Sequence, residues 1–225
     1  MTLIAEDLLL LLLDDEAGTG PSGLDLTPVL GGAILVELAL GGAVRVGEKP
    51  SRWAKAKVVP VPCAAPTDPA LVAALALVGE KERSAQDLVT RLGKGLREPL
   101  SARLADQGVL RRQDQKVLGL FPRTTWPAAD VAHEAQVREA IAASLIQGVQ
   151  PDQRTAALIA LLHAVGRAHK TVPLDGLPAR EAKARAQQIS EGDWAAKAVK
   201  DAIDAATAAM VAATMVATTA ATSSS

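Results

Sequence analysis

The sequence predicts a mainly α protein: a single compact helical domain, 1–217, carrying one small β-hairpin and followed by a disordered tail, 218–225. Three observations carry this expectation. Helix caps and stops recur along most of the chain, the strand-like segments are few and short, and the residues are 49% apolar but only 2% aromatic. With one Phe, three Trp and no Tyr, the core has to be built from Leu, Val, Ile and Ala. A chain of 225 residues is long enough to bury such a core.

The elements follow in order. Thr2 caps a first helix to about Asp15, and the glycine-rich AGTGPSG after it is a loop. Thr27 before Pro28 opens a second helix, VLGGAILVELAL, which Gly41 and Gly42 stop. It is apolar nearly all round, so it belongs at the centre. Val44 to Val46 forms a short strand, and the prolines between Pro50 and Pro66 keep that segment extended. A helix resumes after Thr67 and Asp68 through Val78; Ser84 to Asp87 reads as a capping box, and PLSARLADQ forms a short helix stopped by Gly108. GVLRRQDQKVLGLFPRTTWP reads as a hairpin turning at Gln113-Asp114-Gln115. Helices return from Ala132, jointed at Pro151, Pro173, Pro178 and Gly192.

Composition excludes several function classes. The formal charge is −1, from 24 Lys+Arg against 25 Asp+Glu, which argues against a protein that coats nucleic acid over its whole surface. The single cysteine, Cys63, forms no internal disulfide and fits a reducing, cytoplasmic compartment. The six-leucine run is bracketed by Glu6, Asp7, Asp14 and Asp15, and neither it nor Ala205–Ala217 reaches the ~20 apolar residues that cross a bilayer. His163 and His169 are six apart, off the i, i+4 spacing of a helical zinc pair, and His133 is distant, so no metal site is expected. No P-loop, G-x-S-x-G or G-x-G-x-x-G occurs. Neither catalysis nor a cofactor is indicated. Glu37, inside the apolar second helix, calls for a structural ion pair or a helix-end contact in preference to a catalytic acid.

The informative stretch runs from Glu80 to Arg123, where ten basic and six acidic residues leave +4 against −5 for the rest of the chain. Two of the four aromatics, Phe121 and Trp126, fall at its end. Bases beside an apolar hairpin suit an anionic membrane surface. Each base near such a surface contributes ~1 kcal/mol, so four give only about millimolar affinity, and a few inserted apolar side chains, at about 1.5–3 kcal/mol each, are needed for useful attachment. Alternatively Phe121 and Trp126 close the core. A rival pattern is helix, helix, hairpin, the order of a winged helix-turn-helix, but its second helix offers Arg103 and few groups to read bases, so nucleic acid is disfavoured.

Four blocks, TLIAEDLLLLLLDDEAG, GGAILVELALGGAVRV, LREPLSARLADQGVL and RTAALIALLHA, together resemble the Golgi phosphoprotein 3 family in its prokaryotic branch, from Thr2 to about Met215. The resemblance implies a helical domain that binds phosphatidylinositol 4-phosphate, sits peripherally on the cytosolic face of a membrane, and is no enzyme. It places the cations that hold the lipid phosphate on Lys94 and Arg97. It places a pocket tryptophan near Ser22 and a further arginine near Gly31, where this chain has neither aromatic nor base. The implied partner is therefore an anionic phospholipid or phosphoinositide headgroup. The family's membrane-touching and self-associating hairpin falls on Gln113 to Thr124, with Val117, Leu118, Leu120 and Phe121 as its apolar contacts. The alternative is a non-enzymatic interaction module that uses the hairpin to form a homo-oligomer or dock a protein.

Overall fold

The computed structural model describes residues 2–47, 55–62, 65–117, 121–192, 195 and 197–222, with the side chains of 115–117, 121–123, 198 and 214–222 left undescribed. Among the described residues lie nine α-helices: α1 Ile4–Leu12, α2 Leu26–Leu40, α3 Pro69–Glu80, α4 Ala85–Gly93, α5 Arg97–Asp106, α6 Ala132–Leu145, α7 Gln153–Ala164, α8 Ala179–Glu191 and α9 Lys197–Thr222. Strands β1 Val44–Val46, β2 Lys57–Pro60 and β3 Arg83–Ser84 form one small antiparallel sheet in that order, with Val44 opposite Pro60 and Lys57 opposite Ser84. A separate hairpin joins β4 Gln113–Val117 to β5 Phe121–Thr125. The mainly α class and the hairpin agree with the sequence.

α2 is the central element. Twelve of its fifteen residues are buried, and it packs chiefly against α4 and α9. Adjacent glycines make this possible. A Cβ at Gly31 would lie 1.9 Å from the Val89 carbonyl oxygen of α4, and one at Gly93 would lie 1.7 Å from the Thr27 oxygen. On its other flank, a Cβ at Gly32 would meet the Met210 sulfur of α9 at 2.4 Å. Backbone therefore meets backbone where α2 crosses α4.

α1 is buried along its whole length, including Glu6 and Asp7. Burying a carboxylate is costly unless it is paired. Glu6 accepts from the Leu3 amide at 2.7 Å and meets Arg103 at 3.0 Å. Asp7 pairs with Arg154 of α7 at 2.7 Å and with His133 of α6 at 2.8 Å. Arg154 also reaches Glu37 at 3.1 Å and the Thr2 carbonyl at 2.5 Å, and Glu37 accepts from the Ile4 amide. Burial holds the Glu37 carboxyl above its ordinary value, against the opposing pull of that amide and of Arg154. The structural ion pair expected for Glu37 is thus present.

Several boundaries differ from expectation for identifiable reasons. α1 begins at Ile4, because Glu6 supplies the cap at Leu3 while the Thr2 hydroxyl meets His133 at 3.3 Å. It ends at Leu12, and Asp14 instead organises a turn by accepting from the Ala17 amide at 2.7 Å. Asp25 rather than Thr27 caps α2, accepting from the Thr27 amide. α5 starts at Arg97, since Pro99 falls in a first turn whose amides need no intrahelical partner. Gln113, Asp114 and Gln115 lie inside β4, paired with Thr125, Thr124 and Arg123, so the turn expected there is replaced by a ladder that continues to Val117 opposite Phe121. The terminal segment is helical through Thr222, past the start of the expected tail.

Two substitutions test this packing. Gly93→Ala should lower the unfolding free energy by about 1–3 kcal/mol or more in denaturant titrations, while Gly79→Ala, whose added Cβ meets nothing, should be neutral or stabilising. Arg154→Met, which strands two carboxylates, should cost about 3–5 kcal/mol in the same measurement.

Candidate functional site

The crossing of α2 and α4 determines what lies beside it. Because Gly93 touches Thr27, the C-terminal end of α4 is held against the first turn of α2. The chain leaves α4 through Lys94 and Gly95, and Gly95 takes the left-handed conformation (φ 71°) that turns it into α5. This link runs beside the loop that precedes α2. Between them opens a cleft of about 680 Å³, lined by residues 19–21, 24–27 and Leu30, by Gly93, Gly95, Arg97 and Glu98, and by Thr124 of β5.

The far wall is fixed by hydrogen bonds. Gly18 donates to the Asp14 carbonyl at 2.8 Å, the Trp126 amide donates to the Gly18 carbonyl at 3.2 Å, and the Ala128 amide to that of Asp15 at 3.0 Å. The loop and the end of the hairpin are thereby one unit. The Thr124 hydroxyl donates to Asp114 at 2.8 Å, and that bond, with Arg112, holds the Asp114 carboxyl below its ordinary value.

Arg97 is the first residue of α5 and lines the cleft. Its Nε is buried and has no hydrogen-bond partner, and neither Arg97 nor Lys94 forms an ion pair among the described residues. What bears on the cleft is that Arg97 lines it with no carboxylate partner among the described residues, so its charge there is unspent and suits an anion. The N-cap of α5, Leu96, provides no side-chain acceptor, so the amides of this first turn add partial positive charge on the same side. Lys94 sits between two lining glycines but is exposed and does not itself line the cleft.

Four neighbouring arginines are already used. Arg103 is held by Asp68 at 2.9 Å and by Glu6. Burial pushes the Asp68 carboxyl up, but the Arg103 hydrogen bonds and the Ala70 amide outweigh it and hold it below its ordinary value. Arg83, Arg91 and Arg112 each pair with a carboxylate as well. Arg103, the base that the winged-helix alternative relies on, is thereby committed to ion pairs.

The other residues singled out in the sequence fare differently. Ser22 is exposed and lies off the cleft lining, and Gly31 is locked in the helix crossing. Leu118 and Leu120 lie outside the described residues, as does Cys63, and of Val117 and Phe121 only the backbone is described, pairing at the last position of the ladder. Trp126 is only 2% exposed and packs in the core, with Arg112 5.9 Å above its ring. It closes the domain and offers nothing to a membrane. Sequence reasoning missed Asp25, Glu98 and Thr124; the Asp-x-Thr-Pro cap signal marks Asp25, but nothing local marks the others.

A family model described as Golgi phosphoprotein 3 (GPP34) matches residues 4–206. No curated protein matches the chain. Among the described residues no helix is long and apolar enough to cross a membrane.

The division between structural and unused cations is measurable. Arg97→Ala should shift the unfolding free energy by no more than about 0.5 kcal/mol, whereas Arg103→Ala, which strands buried Glu6, should cost at least about 2 kcal/mol, both read from denaturant unfolding.

Proposed function

The chain belongs to the Golgi phosphoprotein 3 family, and from that premise we propose that it is a peripheral membrane protein which binds the phosphate of an anionic phospholipid headgroup through Arg97 and Lys94. It acts by binding, as a non-enzymatic protein on the cytosolic face of a membrane. The observation that carries this reading is Arg97, which lines the cleft and has no carboxylate partner among the described residues. A guanidinium that already had a carboxylate would gain little from a phosphate; this one would gain a charge-assisted bond. Lys94, three residues earlier on the same link, adds a second cation without the geometry of a fork.

The hairpin supplies the second contact. The described ladder ends with Val117 opposite Phe121, and the apolar side chains of Leu118 and Leu120 would enter the headgroup boundary while the cleft holds phosphate. Two cations at ~1 kcal/mol each fall short of even about millimolar attachment, so both contacts are required for reversible binding in a useful range. The same hairpin is the surface through which copies of the chain would self-associate.

Co-sedimentation with liposomes tests the reading. The protein should pellet with vesicles containing phosphatidylglycerol or phosphatidylinositol 4-phosphate, and Lys94→Ala/Arg97→Ala should lose at least about tenfold in affinity, with Arg97→Lys intermediate. Unchanged pelleting of the double variant would overturn it.

A further inference from the structure

The cleft that holds Arg97 is not a basic pocket. Its lining carries one guanidinium against two carboxylates, Asp25 at the cap of α2 and Glu98 next to Arg97 in the chain. Asp25 spends Oδ1 on the Thr27 amide at 2.8 Å, and its Oδ2 has no partner among the described residues. Glu98 is exposed and makes no ion pair or side-chain hydrogen bond there, although an unpartnered arginine precedes it. With Lys94 on the adjoining link, cations and carboxylates balance at two each.

This balance selects among headgroups. A headgroup with several negative charges would be attracted by the two cations but repelled by the two carboxylates, so each further negative charge gains less than in a basic pocket. A group that joins one phosphate to one ammonium satisfies both signs. A primary ammonium brings three N–H donors, which suit carboxylate oxygens that lack partners, whereas a trimethylammonium brings none. The cleft volume of about 680 Å³ lies within the range of small-molecule sites.

We propose, building on the headgroup reading above, that the cleft takes a phosphoethanolamine group, with its phosphate on Arg97 and Lys94 and its ammonium on Glu98 and Asp25. That chemistry occurs in phosphatidylethanolamine and in soluble phosphoethanolamine esters. The site distinguishes it from choline and from polyphosphorylated headgroups by hydrogen bonding and by charge sign.

The full chain should be sedimented with vesicles of phosphatidylcholine alone, and of phosphatidylcholine with an equal fraction of phosphatidylethanolamine, phosphatidylglycerol or phosphatidylinositol 4-phosphate. Pelleting should be strongest with phosphatidylethanolamine, and glycerophosphoethanolamine should compete where glycerophosphocholine does not. Glu98→Gln should weaken phosphatidylethanolamine binding about tenfold, the size of one charge-assisted hydrogen bond, and leave phosphatidylglycerol binding unchanged or improved. Wild-type protein that pellets with phosphatidylglycerol through Arg97 but gains nothing from ethanolamine, or an inert Glu98→Gln, overturns this assignment and leaves the headgroup reading standing. Glycerophosphoethanolamine binding without pelleting on any vesicle keeps the chemistry, assigns it to a soluble ester and overturns the lipid reading. Absence of binding in every arm overturns both.

Discussion

The crossing of α2 over α4, in which Gly31 and Gly93 bring backbone against backbone, is the constraint on which the candidate site depends. It sets the end of α4 against the first turn of α2, and the link that leaves α4 must then pass the loop that enters α2. The cleft is the space between those two segments. The same contact explains the missing arginine near position 31. Any Cβ there would overlap the Val89 carbonyl, so the helix packing itself excludes a cation from that position. Among the described residues, the positive charge in this cleft comes from the α4–α5 side alone, through Arg97.

A second constraint sorts the basic residues. α1 buries Glu6 and Asp7, and two arginines, Arg103 and Arg154, are drawn inward to neutralise them. These pairs add little net stability over apolar packing, but removing one partner leaves a buried charge, so they fix the position of α1 against α5, α6 and α7. Their consequence for function is subtractive. The +4 of the Glu80–Arg123 stretch already nets out Glu80, Asp87 and Asp114, which hold Arg83, Arg91 and Arg112, and it falls further because Glu6 and Asp68, from outside the stretch, neutralise Arg103. What distinguishes Arg97 is that it is partly buried beside a cleft and has no such partner.

Most elements were legible because their signals are local. The glycine stop of α2, the Ser84 cap, the proline-rich extended segment and the joints of the last helices each depend on a few neighbouring residues, and each stands where expected. The central place of α2 was legible from its all-round apolarity. Boundaries failed where a distant residue competed, as when His133 engages Thr2, 131 residues away in the chain. Trp126 could be assigned to core or membrane only once its burial was known, since amphipathic context near bases fits both. In the site, Arg97 was accessible through the motif around it, but Glu98 and Asp25 were not. Their joint presence in one cleft depends on the helix crossing, which pairs residues from separate elements and leaves no periodic trace.

The hairpin and the cleft are also mechanically one device. Thr124 lines the cleft while its hydroxyl bonds Asp114 across the ladder, and the next residues of the chain, through the Trp126 amide, bond the loop that forms the opposite wall. Trp126, buried with Arg112 over its ring, anchors this junction in the core. Displacing the hairpin would therefore pull on the Asp14–Gly18 turn and change the width of the cleft. If the cleft held a headgroup and the hairpin met the same membrane, this junction would fix the separation of the two contacts, and binding at one would raise the effective concentration for the other.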